Sequence, residues 1–327
     1  MSKKIIIAIV TIVTSILLFT TINNNKKYKI NVDSVNGSSN IVVKLKKNEH
    51  ISEKYNPTRE GYIFIDWYID PTYKVIYNPN AHNKKKNLIV YAKWEKEQTN
   101  TNYNEEEIIN ILEKAINNHY TNKSFKVETN GILDAGISKQ EIYGVKAQKD
   151  ALLYLYSSSI GMVDTFTQLQ SINNNDFNYQ KGTADKNFKP KTLSEELTLS
   201  LDEYKNQYGI GPKDISFIIN KNTILKIDNI VIGSNIYFTV ELDPILSTKN
   251  YQKNIQATNS FKSKLPVFQS VKLDVVINKN NEFVKITSYE SYYIEVSILN
   301  LGYKKQNINA VITDNFIYDE NIEIIKY

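Results

Sequence analysis

The feature that most limits how this chain can fold is a two-residue hydrophobic period that recurs through its second half. Val271, Leu273, Val275 and Ile277 alternate with polar partners except at Val276, and Ile236, Phe238, Val240 and Leu242 share one face in the same way. Successive side chains of a strand point to opposite faces, so this pattern buries one face of a sheet and wets the other. The runs are short and punctuated by turn signals: NKN at 220–222, GSN at 233–235 and NKNN at 278–281. They predict antiparallel hairpins. TILKIDNIVI and IYFTVELDP form one, and VKLDVVI, EFVKITSYES, YYIEVSI, NINAVIT and FIYDENIEIIKY continue as a meander. Upstream, FKVETNGIL, QEIYGVKAQ and ALLYLYSSS read as further strands. SINNNDFNYQKGTADKNFKP, poor in apolar residues, reads as a long loop.

Helices are few. Asn104 and Glu107 make a capping pattern ahead of Ile108, Ile111, Leu112, Ala115, Ile116 and His119, which share one helical face. His119, at the end of that helix, reads as an exposed residue or a partner of the helix dipole. LDEYKNQY is capped by Ser200 with Glu203 and ended by Gly209. A third short helix carries Tyr251 and Ile255. With so little helix available, one sheet face stays uncovered unless the sheet curves.

Composition excludes several functions. The chain has 40 basic and 35 acidic residues, a mild excess spread along its length, and Arg59 is its single arginine. Guanidinium groups are the main specific readers of phosphate and guanine, so nucleic acid is not an expected partner. Without cysteine there are no disulfides, thiolate metal sites or cysteine nucleophiles. Tyrosine, at 23 copies, suits half-buried sheets and contact surfaces.

At the N-terminus, Lys3 and Lys4 precede an apolar run from Ile5 to Ile22, close to the ~20 residues that cross a bilayer. Residues 1–27 therefore read as a signal anchor or a signal peptide, the anchor being favoured because no small-residue cleavage pattern follows. Both place the rest of the chain outside the cytoplasm. EKEQTNTNYN, polar and without apolar periodicity, marks a linker at 97–104 before a unit spanning 105–327.

Between the two lies a first unit at 28–96, with strand signals in YKINVDSV, IVVKLKK, YIFIDWYI and LIVYAKW. Its phrase PTREGYIFIDWY, closed by VYAKW, contains the only arginine and both tryptophans. Pro57, Thr58, Arg59, Gly61, Tyr62, Phe64, Trp67, Tyr68, Tyr91, Ala92 and Trp94 stand where the internalin-B-type repeat, or Listeria–Bacteroides repeat, has its signature. The unit resembles that family, although Asp66 replaces the glycine usual before the tryptophan. The resemblance implies a small β-grasp-like module of a bacterial surface protein with no catalytic residues. Trp67 and Trp94 are expected in its core, since a unit this small without disulfides has few other large side chains. Tyr68, Tyr73 and Tyr77 are the candidate exposed contact residues. No second copy of the phrase occurs.

The order of elements in 105–327, helix then antiparallel meander, resembles the LolA/LppX-like half-barrel of envelope lipoproteins. That resemblance implies a curved sheet whose concave face holds an apolar ligand such as a lipid; Phe238, Val240, Tyr289 and Tyr292 would line the groove. The whole chain is thus expected to be α+β: an N-terminal membrane helix, a small β-grasp-like module and a larger domain of helix and curved antiparallel sheet.

No motif supplies chemistry. His50, His82 and His119 stand singly, with no zinc-type spacing. YSSSIG has serine at 157 where a nucleophile elbow around Ser159 needs glycine. NNNDFNYQKG lacks the spacing of a calcium loop. No cofactor or metal is expected. The expected function is a non-enzymatic, membrane-anchored surface protein that contacts an envelope component or a host surface protein, with a lipid carrier as the alternative.

Overall fold

The computed structural model describes residues 27–34, 41–46, 49–53, 55, 57–59, 61–83, 85–96, 103–136, 138–161, 163–232, 235–258, 263–298 and 302–327. The expected membrane segment at 5–22 and most of the expected linker lie outside these residues. Among the described residues no helix is long and apolar enough to cross a membrane. The α+β expectation needs correction: strands take up 53% of the described residues and helices 14%, so the described structure is mainly β. Its two compact units divide at Thr99 and Asn100.

The first unit is a four-stranded sheet of β1 (Tyr28–Asp33), β2 (Ile41–Leu45), β3 (Tyr62–Tyr68) and β4 (Ile89–Lys96), in the order β2-β1-β4-β3. β1 and β4 run parallel in the middle, and the outer pairs are antiparallel. Ile30, Val32, Leu45, Ile51, Trp67 and Val90 are fully buried on one side. A single helical turn, α1 (Pro79–His82), lies between β3 and β4. The lone arginine covers an aromatic ring: the Arg59 guanidinium sits 3.7 Å from the Tyr62 centroid. The departure at Asp66 has a structural counterpart. The register of β3 on β4 shifts between Phe64 and Asp66, and the Asp66 carboxylate accepts the Trp67 amide at 2.8 Å.

The second unit is built on one 12-stranded antiparallel sheet. Its strands are β5 (Ser124–Asp134), β6 (Lys139–Lys149), β7 (Leu152–Ile160), β8 (Thr165–Ser171), β9 (Asp176–Ala184), β10 (Pro190–Leu193), β11 (Leu197–Ser200), β12 (Ile224–Ile232), β13 (Asn235–Leu242), β14 (Val267–Asn278), β15 (Phe283–Ile298) and β16 (Gly302–Ile317). The spatial order is β10-β9-β8-β7-β6-β5-β16-β15-β14-β13-β12, with β11 also on β9. The sheet is therefore two consecutive meanders, joined where the last strand, β16, pairs with the first, β5.

Three helices belong to this unit: α2 (Glu105–Thr121), α3 (Leu201–Tyr208) and α4 (Tyr251–Thr258). α2 and α3 begin with complete capping boxes, Asn104 with Glu107 and Ser200 with Glu203. Gly209 ends α3 at φ 77°, where a Cβ would stand 2.4 Å from the Asn250 carbonyl oxygen. Only glycine lets α3 end so close to the start of α4. Ile108, Leu112 and Ala115 of α2 join Phe238, Val240 and Leu273 in the main core.

Three expectations about the strands change. The expected loop at 171–190 contains the strand β9, whose Phe177 and Tyr179 are buried two residues apart. EFVKITSYES and YYIEVSI are one continuous strand, β15. FIYDENIEIIKY is strand only in its first two residues, and Tyr327 instead stacks on Tyr156, 4.5 Å between centroids.

Candidate ligand-binding cavity

The inner face of the sheet differs in character along its length. On β13 and β14 it presents Phe238, Val240, Leu242, Leu273, Val275 and Ile277, none more than 2% exposed. α2 lies on the same core, so this stretch is filled. Across the middle of β5 to β8 several inner positions become small or polar. Register places Thr129 opposite Gly144, Gly144 opposite Ser157, and Ser157 opposite Thr167. Side chains this short do not span the space beneath α3 and α4, and a cavity of about 910 Å³ remains.

Two unlike walls enclose it. Ile308 and Ile312 of β16 with Ile294 and Val296 of β15 line one side, and Ile255 of α4 faces the same space. Ser157, Ser159, Thr165 and Thr167 line the other. Ser159 Oγ and Thr165 Oγ1 share a hydrogen bond at 3.0 Å, and Gln140 Nε2 donates to the Val163 carbonyl at 2.7 Å. Ser157 is exposed although it lies mid-strand, because its hydroxyl faces the open part of the cavity.

Two opposite charges flank β5 on this face. Lys146 of β6 pairs with Val127, and Asp314 of β16 pairs with Thr129. The Lys146 ammonium donates to the Asp214 carbonyl at 2.9 Å. The Asp314 carboxylate accepts from Thr129 Oγ1 at 2.6 Å. Both residues line the cavity, which receives such exposure as they keep. Burial pushes the lysine's pKa down, against the pull of Asp314 and Asp214. Burial likewise raises that of Asp314, against the Thr129 bond and the lysine charge.

A second acid lies on the same inner face, outside the cavity lining. Glu290 of β15 is 3% exposed and its Oε1 accepts from Ser288 Oγ at 2.7 Å. Its Oε2 is buried without a hydrogen-bond partner. Burial, opposed by the Ser288 bond and aided by Asp314, raises the carboxyl to about 7. The rings of Tyr251 and Tyr292 line the cavity, with Phe268 against both, 5.8 Å and 4.9 Å between centroids.

The groove residues expected from sequence are thus split. Tyr292 lines the cavity; Phe238 and Val240 lie in the filled stretch, and Tyr289, 40% exposed, points from the other face. Tyr289 and Tyr292 differ in strand parity, which separates them once β15 is one strand. Lys146, Asp314 and Glu290 escaped the sequence reading. Their signal is a charge at an inward position of a two-residue alternation, as Lys146 follows Ile142 and Gly144.

The histidines are structural. His119 is 1% exposed, with Phe125 at 4.7 Å and Phe316 at 5.5 Å between ring centroids, and its Nδ1 lies 3.1 Å from the Tyr318 hydroxyl. This corrects the expectation of an exposed residue. Burial, with the charges of Lys146 and Lys213, lowers its pKa to about 3 and keeps it neutral. In the first unit His82 Nδ1 accepts the Asn78 amide at 2.9 Å, and His50 Nδ1 accepts that of Ser52 at 3.2 Å. Among the described residues no cluster of His, Asp and Glu could hold a metal ion.

Of the three tyrosines expected to be exposed contacts, Tyr68 is 8% and Tyr77 3% exposed. The Tyr77 hydroxyl donates to Asn83 Oδ1, and the Asn83 amide donates to the carbonyls of Lys46 and Glu49. Tyr73 alone is half-exposed, edge-on to Tyr68 at 5.5 Å between centroids. Trp67 is fully buried; Trp94 is half-buried and its Nε1 donates to the Ser34 carbonyl at 2.6 Å.

Comparison with known proteins bears first on this unit. Residues 28–93 match the family model of the Listeria-Bacteroides repeat domain, so the repeat read from the Pro57–Trp94 signature is present. No curated protein matches the chain. Among solved structures, a DUF1329 family protein from Desulfovibrio piger aligns with 67% of this chain and 94% of its own, at 9% identity and a TM-score of 0.27. A score that low carries no argument about this chain.

Proposed function

We propose that this chain is a non-enzymatic binding protein of the bacterial cell surface whose second unit holds an amphiphilic, lipid-like ligand. The observation that carries the reading is the cavity of about 910 Å³, with an apolar wall of β15 and β16 facing a hydroxyl-bearing wall of β7 and β8. Ligand sites are typically concave, largely apolar and furnished with a few placed polar groups, at about 300–1,000 Å³. The surface address is supported by the Listeria-Bacteroides repeat at 28–93 and by the apolar run at 5–22 behind two lysines. The repeat then serves as a spacer or contact module toward an envelope component or a host surface protein.

Native mass spectrometry of the full-length chain purified from its own cells tests the binding reading. A co-purifying amphiphile that leaves on organic extraction is expected. A chain with only its own mass, which also takes up no added amphiphile, would defeat it. Protease added to intact cells tests the address: both units should be cut, and their survival would remove the surface assignment.

A further inference from the structure

We propose that the occupant of the cavity is an uncharged amphiphile with a hydroxyl-rich head, of the glycolipid class. This inference rests on the cavity being a ligand site and asks which head group its walls accept.

Charge comes first. Lys146 and Asp314 are the ionisable pair lining the cavity at β5, and they cancel. An anionic head drawn to Lys146 would meet Asp314, and a cationic head drawn to Asp314 would meet Lys146. Leaving either charge unbalanced in a low-dielectric space is costly. His119 is neutral, and Glu290 is buried and does not line the cavity, so neither tips the balance. Lys304 and Lys305 are exposed at the first residues of β16, where water and salt screen them, and the Asp214 carboxylate accepts the Gly211 amide at 2.7 Å.

Hydrogen-bonding capacity comes second. Lys146 has three donors, and the Asp214 carbonyl takes one. Asp314 keeps acceptor capacity beyond the bond from Thr129. Ser157 and Thr167, directly opposite on β7 and β8, add hydroxyls that both donate and accept. A head that must satisfy donors and acceptors at once, without charge, is a polyol. The apolar wall of Ile294, Val296, Ile308 and Ile312 takes the chain.

The test uses three surfactants with one tail: decyl glucoside, decyl sulfate and decyltrimethylammonium. Each is titrated calorimetrically, below its micelle concentration, into the full-length chain freed of detergent. The glucoside is expected to bind at least tenfold more tightly than either charged probe. The double variant Ser157→Ala, Thr167→Val, which keeps side-chain volume nearly constant, should lose about tenfold in glucoside affinity and leave the weak sulfate binding unchanged. A charged probe that binds as tightly as the glucoside overturns the head-group inference while the cavity reading stands. Unchanged glucoside affinity in the double variant overturns it too. If none of the three binds, the inference falls together with the cavity reading.

Discussion

The two meanders of the second unit make one sheet yet treat its inner face in opposite ways. On β13 and β14, Val, Leu, Ile and Phe fill the space under α2, and most polar residues face outward. From β5 to β8, Gly144, Ser157, Thr167 and Lys146 face inward, and the buried aromatics Tyr154, Tyr156 and Phe166 sit on the outer side with Ala184. A strand pattern turned over in this way gives up part of its inner-face burial: Phe125, Val127, Leu153 and Leu169 still join the main core, and β13 and β14 supply its most completely buried stretch. Close packing and the polar side of the cavity thereby fall on different stretches of the same sheet, with β15 and β16 contributing to both core and cavity.

Substitutions that break this division should do so in graded steps. The largest loss is expected in the filled half: Phe238→Ala removes a side chain that is 2% exposed and should cost about 3–5 kcal/mol. Ser157→Ala, at an exposed inner position of the other half, should stay within about 0.5 kcal/mol. Urea unfolding followed by near-ultraviolet dichroism of the tyrosines measures both, and equal effects would erase the distinction.

Glu290 lies on the boundary and gives the next effect. Its folded pKa of about 7 stands above the ordinary 4.5, so its contribution to stability is full below pH 4.5 and is lost as pH rises to 7. His119 works the other way: its pKa falls from 6.5 to about 3, so its contribution is full above pH 6.5 and is lost as pH falls toward 3. Glu290→Gln should therefore stabilise the protein at pH 7.5 by roughly 2–3 kcal/mol, leaving the acid-side loss due to His119. Melting curves from pH 4 to 8 decide this; a variant no more stable than the parent at pH 7.5 would show Glu290 to be ionised at little cost.

Gly209→Ala tests the cover. A Cβ there collides with Asn250 and Lys253, and the loss should be about 1–3 kcal/mol, with weakened amphiphile binding because α3 and α4 roof the cavity. At the other end of α3, Ser200→Ala removes one N-cap and should cost about 1 kcal/mol with binding unchanged. If Ser200→Ala impaired binding as much as Gly209→Ala, the spacing of the two helices would not be what matters.

Legibility in the sequence followed the same division. The filled half announces itself because a dry inner face and a wet outer face write alternation plainly, as in Val271 to Ile277. The other half does not, since small and polar side chains on the cavity side blur the contrast. Phe177 and Tyr179 were the only large apolar residues to betray β9, too few to distinguish a strand from a loop. In the first unit the repeat signature was readable because its tryptophans and glycine hold fixed places. The exposure of Tyr68 and Tyr77 was not, because it depends on Asn83, a distant residue that no local pattern connects to them.

The pairing of β16 with β5 has a temporal consequence. Lys146 and Asp314 come to flank β5 only after strands some 180 positions apart in the chain have met, a closure that contact-order arguments place among the slow steps of folding. A chain emerging from the ribosome would hold the hydroxyl wall long before the isoleucine wall, with nothing between them to occupy. Capacity for a guest would then appear all at once, when the final strand slots in.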